Sequence, residues 1–540
     1  MERFALLIGL KGCIMASPRK NTSRAQRTAP DPALKNAPPA LPAPPTTDER
    51  GTAFVKGTPL GWTPGVAFRD GKTTIGGSPW TITTLPRRVR PFAQKLFEAG
   101  RAGLTPATKT EVAAAIFLLD LGLADPLPIA RGPVDDVDVV VPVYKHAASL
   151  ERCLASLAAE GLPVIVVDDA SPAADAARIA KAAAAHGARL IVRPKNGGPG
   201  EARTDGFNAS TAPFVAFVDA DIVASADWVS RLRPLLDDPL VAAVAPRVVA
   251  DVQGTSSIEL YEETRSELDM GAVPSRVVYG VPVGWLPTAS VIMRRAATSD
   301  PPFEPGLRVG EDVDLVWRMD EAGWTVRYAP DVINHHEVRT SLRDFVARRV
   351  MYGGSAAELE RRHPRRLIPA RPSLLGIGVL GSLAFGQPLI AGAIAGYAFA
   401  RTRRLLGPDT SVAVSIEQTA LSLWTDIFWV GHLLRRDWWP VGLAVVLATP
   451  KSRAARGLAA AMAWEPVRDH LIRPTRLGPV QSLALRALDD ASYGTGVIRG
   501  ALKTRVWNVI LPRVQIPTWP KKRQVHDAAM QHETQENETA

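Results

Sequence analysis

The chain has 540 residues, 46% of them hydrophobic, with two cysteines and a formal net charge of +10. That length and apolar content can build about two to four domains, and Cys13 with Cys153 makes no disulfide framework, which suits a reducing compartment. The basic balance fits an anionic partner such as a membrane surface; without zinc-ligand spacing or an RNA-binding aromatic pattern, nucleic acid is set aside.

Residues 1–52 read as a disordered tail, because Ser17 to Arg50 is Pro, Ala, Thr and charge and cannot bury a core. Glu2 and Arg3 make a poor start for a secretory signal, and none is read. Residues 53–130 read as a small winged-helix-like domain. "FRDGKTTIGGSPWTITTLP" has two short alternating runs around Gly-rich turns, as in a hairpin. "RRVRPFAQKLFEAG" and "TPATKTEVAAAIFLLDLGLADP" have apolar residues at helical spacing, and Thr108 with Glu111 forms a candidate capping box.

From Asp135 the pattern turns β/α. "DVDVVVPVY", "LPVIVVDDAS", "ARLIVRPKN" and "PFVAFVDAD" read as strands, with helices over Leu150 to Ala159, Ala173 to Ala185 and Gly200 to Ser210 between them. This alternation predicts a parallel sheet covered on both faces, with ligands at the C-terminal strand ends. Asp168 and Asp169, Asn196, and Asp219 with Asp221 fall in three successive strand-end loops. Asp219 and Asp221 point to one side of an extended chain, where they can share a hard divalent cation such as Mg²⁺ or Mn²⁺; the plainer alternative is a pair of solvated turn acids. Asn196 with Gly197, Gly198 and Gly200 makes a loop able to approach a ligand closely.

Taken together, "VVVPVY", "VIVVDDAS", "NGGPGEARTDGFN", "FVDAD" and "GEDVDLVWR" resemble the inverting family 2 glycosyltransferases of the GT-A fold, over residues 135 to 336. One departure is Ala170, where that family commonly has glycine; alanine keeps the position small. The resemblance implies a UDP-sugar donor. It implies that Asp168 and Asp169 receive the uracil ring, and that Asp219 binds the ribose or the metal. Arg203 would face the nucleotide and offset diphosphate charge, with a plain surface ion pair as the alternative. Asp221 would bind the metal directly. A histidine of "INHHEVRT" would complete the metal site, His335 being favoured while spacing leaves His336 open. Asp312, after a Gly-rich loop at the start of a helix, would be the general base; a helix cap is the plainer reading. Trp285 is a candidate sugar-stacking wall or a core residue. The Gln-x-x-Arg-Trp motif of processive members is absent from "RRVMYGGSAAELERRHP".

Residues 372–400 contain no charge, with Gln387-Pro388 in the middle. The run is long enough for one span, yet arginines crowd both ends, against the positive-inside tendency. Two half-length helices broken at Pro388, with both ends on the cytoplasmic side, fit better; a buried helical hairpin is the soluble alternative. Residues 411–519 read as a helical region with interfacial tryptophans, and 520–540 as a second disordered tail. Residues 53–130 resemble the PqqD-like domains of peptide-modifying systems. With the family 2 core at 131–366, the hydrophobic hairpin at 367–410, "YGGSAAELERRHP" and "DDASYGTGVIRG", the whole pattern resembles the glycosyltransferases of mycofactocin systems. That resemblance implies a peptide-derived redox cofactor or its precursor as acceptor, with glucose added in β-1,4 chains. The arginine-flanked uncharged run predicts a place at the inner face of the cell membrane. A membrane-linked transferase for cell-wall or capsule glycan is the alternative.

Overall fold

The computed structural model describes residues 41–45, 52–338, 340–407 and 410–517. Contacts divide the chain into one unit of residues 1–345 with 361–366 and another of 346–360 with 367–540. The C-terminal tail expected at 520–540 and most of the N-terminal tail lie outside the described residues. Within the expected N-terminal tail, however, Pro44 is buried and the Pro42 carbonyl accepts a hydrogen bond from Trp324 Nε1 at 2.7 Å. This short segment therefore belongs to the packed chain.

In the first unit, α1 (Thr52–Gly57) precedes five short strands: β1 (Leu60–Trp62), β2 (Ala67–Arg69), β3 (Thr73–Gly76), β4 (Thr81–Thr84) and β5 (Ala124–Pro126). β2, β3 and β4 form an antiparallel sheet, and β1 pairs with β5. The first run expected within one hairpin makes a hairpin of its own, because Asp70 and Gly71 both take positive φ, 54° and 60°, as tight hairpin turns require. Helices α2 (Arg90–Ala99) and α3 (Lys109–Asp120) cover a core around Leu60, Trp62, Phe92, Leu96 and Leu118. The Thr108–Glu111 capping box is present in both directions.

The rest of the unit is built on one mixed sheet. Its strands are β6 (Val137–Val143), β7 (Val164–Asp168), β8 (Arg189–Val192), β9 (Phe214–Val218), β10 (Ile222–Val223), β11 (Val241–Asp251), β12 (Ser275–Arg276), β13 (Ser290–Arg294) and β14 (Thr325–Glu337). The order is β8-β7-β6-β9-β13-β11-β14-β10, with β12 also on β14. β8, β7, β6 and β9 are parallel, as their unbroken apolar runs predict. The remainder is mixed: β13 runs antiparallel to both β9 and β11, while β11 pairs parallel with β14. Helices α4 (Ala147–Leu157), α5 (Ala173–Ala185), α6 (Pro199–Ala209), α7 (Trp228–Leu232), α8 (Ser257–Arg265) and α9 (Glu311–Ala322) complete the unit, and buried clusters form on the two sheet faces, around Val139, Val141 and Trp228 on one and Val140, Phe217 and Leu315 on the other.

The helix α10 (Leu342–Arg362) contributes residues to each unit. The second unit is helical: α11 (Leu374–Ala384), α12 (Pro388–Leu406), α13 (Val412–Arg435), α14 (Trp439–Ala448), α15 (Arg453–Ile472) and α16 (Pro479–Thr504). Among the described residues no helix is long and apolar enough to cross a membrane; the uncharged run is two helices, the second opened by Pro388. The sequences "YGGSAAELERRHP" and "DDASYGTGVIRG" meet through their glycines. A Cβ on Gly353 would lie 2.1 Å from the Tyr493 carbonyl oxygen, and one on Gly496 2.1 Å from that of Val350. Arg349 Nε binds Asp489 Oδ1 at 2.7 Å beside this crossing.

A methyl group at such a position forces two helix backbones apart. Gly496→Ala is expected to destabilise the protein by about 1–3 kcal/mol or more. Gly381→Ala, where a Cβ meets nothing within 4 Å, is expected to be neutral or to gain about 0.5–1 kcal/mol. Melting temperatures of the two variants beside the parent protein check this.

Candidate active site

Parallel pairing puts the ends of β7, β8 and β9 on one edge of the sheet. At the end of β7, Asp168 Oδ1 accepts the Ser171 amide at 3.0 Å, and its other carboxylate oxygen is buried with no partner among the described residues. Asp169 is buried and anchors the neighbouring loop. Its carboxylate accepts the Gly197 amide at 2.9 Å, the Gly198 amide at 2.8 Å and an Arg193 guanidinium N–H. Asn196 Nδ2 donates to the Asp169 carbonyl at 3.1 Å, and its side-chain oxygen accepts from Arg308 Nη2 at 2.6 Å. Ala170 has φ 58°, so backbone conformation as well as size bears on this position; alanine holds the left-handed region at a cost of about 1–2 kcal/mol.

At the end of β9, Arg203 on α6 is 3% exposed. It donates to Asp219 Oδ1 at 2.5 Å and to Glu311 Oε1 at 2.8 Å. This corrects the expectation of a nucleotide-facing or surface arginine: Arg203 is an internal tie between a strand end and the first residue of α9. Burial alone would lower its pKa, and the Asp219 and Glu311 carboxylates overcome that and raise it. Burial raises Asp219, with Asp221 adding to it against Arg203. Burial, then the adjacent Asp312, pushes Glu311 up to about 7. Asp312 is half-buried at the start of α9 and is also raised, by burial first, while the Val313 amide and Arg203 oppose it. Its Oδ1 accepts that amide at 2.8 Å.

β10 pairs antiparallel with β14, Ile222 opposite His336. Side chains alternate along β14, so His336 is buried and His335 exposed. His336 Nε2 lies 3.2 Å from Asp221 Oδ2. The favoured His335 is therefore replaced by His336 as the histidine beside Asp221. Carboxylate oxygen and imidazole nitrogen suit a hard divalent cation. Among the described residues no group of three or more His, Cys, Asp and Glu is placed to hold a metal by itself, so such an ion needs its remaining ligands from diphosphate and water. Trp285 is half-buried in a loop.

Two features lay beyond the sequence reading. Arg193 bonds Asp169, Glu201 (2.8 Å) and Asp205 (2.7 Å) together. A buried ionic cluster also fixes α9. Asp314 accepts from Arg318 Nε at 2.9 Å, Arg362 Nε at 2.7 Å and His363 Nε2 at 3.0 Å, while His363 Nδ1 faces Glu321 Oε1 at 2.9 Å. With a carboxylate at each ring nitrogen, the doubly protonated ring can donate to both, and this favours the imidazolium.

Strand-end carboxylates, a glycine loop under one of them and an acidic helix start opposite lie together on one edge of the sheet of a GT-A fold, and the model for Glycosyl transferase family 2 matches residues 138–296. Pre-mycofactocin glycosyltransferase from Mycobacterium tuberculosis (strain CDC 1551 / Oshkosh) is 34% identical over 464 residues, covering 83% of this chain and 95% of that one. The chain belongs to this family of glycosyltransferases. Among solved structures, two that match do so at low similarity. Mannosyltransferase PcManGT from Pyrobaculum calidifontis, in complex with GDP-Man and Mn²⁺, has TM-score 0.34 and 18% identity and covers 63% of this chain and 90% of that one. Glucosyl-3-phosphoglycerate synthase from Mycobacterium tuberculosis, with Mg²⁺ and uridine-diphosphate, has TM-score 0.31 and 21% identity and covers 42% and 79%.

The α9 anchor titrates in a defined direction. Burial would lower His363, but Asp314 and Glu321 raise it above its ordinary 6.5. Its stabilisation is complete below about pH 6.5 and is lost as pH rises through the raised value. Glu311, raised from 4.5 to about 7, binds more protons folded than unfolded across that interval, so stability also falls as pH rises through it. Melting temperature is expected to drop from pH 5 to 8, with His363→Gln flattening the upper part of the curve and Glu311→Gln the lower part.

Proposed function

We propose that this protein is an inverting, metal-dependent glycosyltransferase that moves a hexose, glucose in β-1,4 linkage by family resemblance, from a UDP-sugar to a peptide-derived redox cofactor or its precursor. The near full-length match to a pre-mycofactocin glycosyltransferase carries the acceptor class. The site supports the chemistry. Asp221 and His336 would hold Mg²⁺ or Mn²⁺, which when bound supplies positive charge to the leaving diphosphate. Asp168 and Asp169, with the Asn196–Gly198 loop, would receive the uridine. Asp219, held by Arg203, would orient the ribose, while Arg203 positions the carboxylates rather than touching the donor.

Asp312 would take the proton of the attacking acceptor hydroxyl. The new bond forms at the anomeric carbon opposite the departing UDP, so a single displacement inverts an α-linked donor to a β-glycoside. The raised carboxyl of Asp312 is a stronger base than an exposed aspartate. Residues 53–130 are read as a PqqD-like domain that receives the peptide part of the acceptor. Purified protein with UDP-glucose and extracts of cells making the cofactor tests the whole reading: hexose-bearing cofactor detected by mass spectrometry supports it, and glycolipid as the only product overturns it in favour of a cell-envelope transferase.

Two measurements test the residues. Asp312→Asn keeps the size and a helix-capping oxygen but cannot accept the proton; transfer is expected to fall by roughly 10²–10⁴-fold with UDP-sugar affinity nearly unchanged. Chelation is expected to abolish transfer and added Mn²⁺ or Mg²⁺ to restore it. His336→Ala is expected to reproduce the loss, at least about a hundredfold, while His335→Ala stays near the parent rate. Full activity of His336→Ala in excess chelator would remove the metal from the mechanism.

A further inference from the structure

The helical unit has one end that is both apolar and cationic. The turn between α11 and α12 exposes Phe385 (78%) and Leu389 (89%), with Leu383 on the last turn of α11 also exposed. The turn between α14 and α15 belongs to the same end: a Cβ on Gly457, in the first turns of α15, would lie 3.9 Å from the Cβ of Ala384, the last residue of α11. This second turn exposes Leu447 (73%) and Leu443. Lys451, Arg453 and Arg456 follow directly, all exposed and without an ion pair among the described residues. Neither stretch carries an acid: no Asp or Glu occurs from 372 to 408 or from 438 to 464.

We propose that this end docks into the surface of an anionic lipid bilayer, with Phe385, Leu389 and Leu447 in the acyl boundary and Lys451, Arg453 and Arg456 among the headgroups. Exposed apolar side chains on two adjoining turns are costly in water and gain on entering lipid. A free cationic cluster beside them complements lipid phosphate. The depth is limited by length: α11 has 11 residues, roughly 16 Å, about half of a ~30 Å hydrocarbon core. The apolar end therefore enters one leaflet only. A second copy of the chain fits less well, because two such ends would bring their uncompensated cations together.

Flotation of the full chain with vesicles tests this, independently of sugar transfer. Parent protein is expected to float with vesicles of phosphatidylcholine and phosphatidylglycerol in equal parts, and weakly with phosphatidylcholine alone. Phe385→Ser with Leu389→Ser and Leu447→Ser is expected to lower partitioning by at least about a hundredfold. Lys451→Ala with Arg453→Ala and Arg456→Ala is expected to cost on the order of a hundredfold on anionic vesicles only. Unchanged melting temperatures would show that both variants fold. Parent protein that does not float, apolar variants that float equally, or a lipid-free dimer dissolved by the apolar substitutions would overturn the proposal.

Discussion

The carboxylate-lined edge of the sheet depends on one guanidinium. Arg203 is buried between Asp219 at the end of a strand and Glu311 at the start of a helix. A buried carboxylate is costly without such a partner; burial, then the neighbouring Asp312, still pushes Glu311 up to about 7 against Arg203. The same contact ties the sheet edge to the helix start that carries Asp312. Arg193 does the same one loop away, gathering Asp169, Glu201 and Asp205 around the glycine turn. The site is thus pre-organised by internal charge pairs rather than by ligand.

These ties explain why nearly every carboxylate in the reading has a partner already. Asp169 accepts three donors from its own chain, which holds its loop in place. Asp314 closes the far side, where Arg318, Arg362 and His363 surround it. α9 is pinned at both ends of its first turn, so the half-buried Asp312 between the pins has little freedom.

Much of this was legible in the sequence, and the failures have physical causes. The four parallel strands were readable because burial on both faces writes an unbroken apolar run. β11 was missed: Pro246 and Arg247 interrupt its run, at the place where its register against β14 shifts. β13 is only five residues long. The two histidines could not be separated, because the choice rests on strand parity. Val332 and Ile333 are both apolar, yet Ile333 is exposed while the polar Asn334 is buried on Ser290 and Ser225. Arg203 and Arg193 were visible as arginines, but their acids lie on elements that only the fold brings near. Nothing in the local spacing marked His363, whose partners Asp314 and Glu321 sit a helix away.

The glycine crossing between Gly353 and Gly496 has a consequence for how the chain can vary. The contact is backbone on backbone, so it depends on the rotational phase of each helix and hardly on the identity of the other side chains. One residue inserted inside either helix turns everything beyond it by about 100°, which swings the flat glycine strip away from its partner. Insertions in the loops between helices leave the phase alone. Length variation is therefore tolerated between the two helices and forbidden within them, and the two glycine-bearing segments keep their internal spacing as a matched pair.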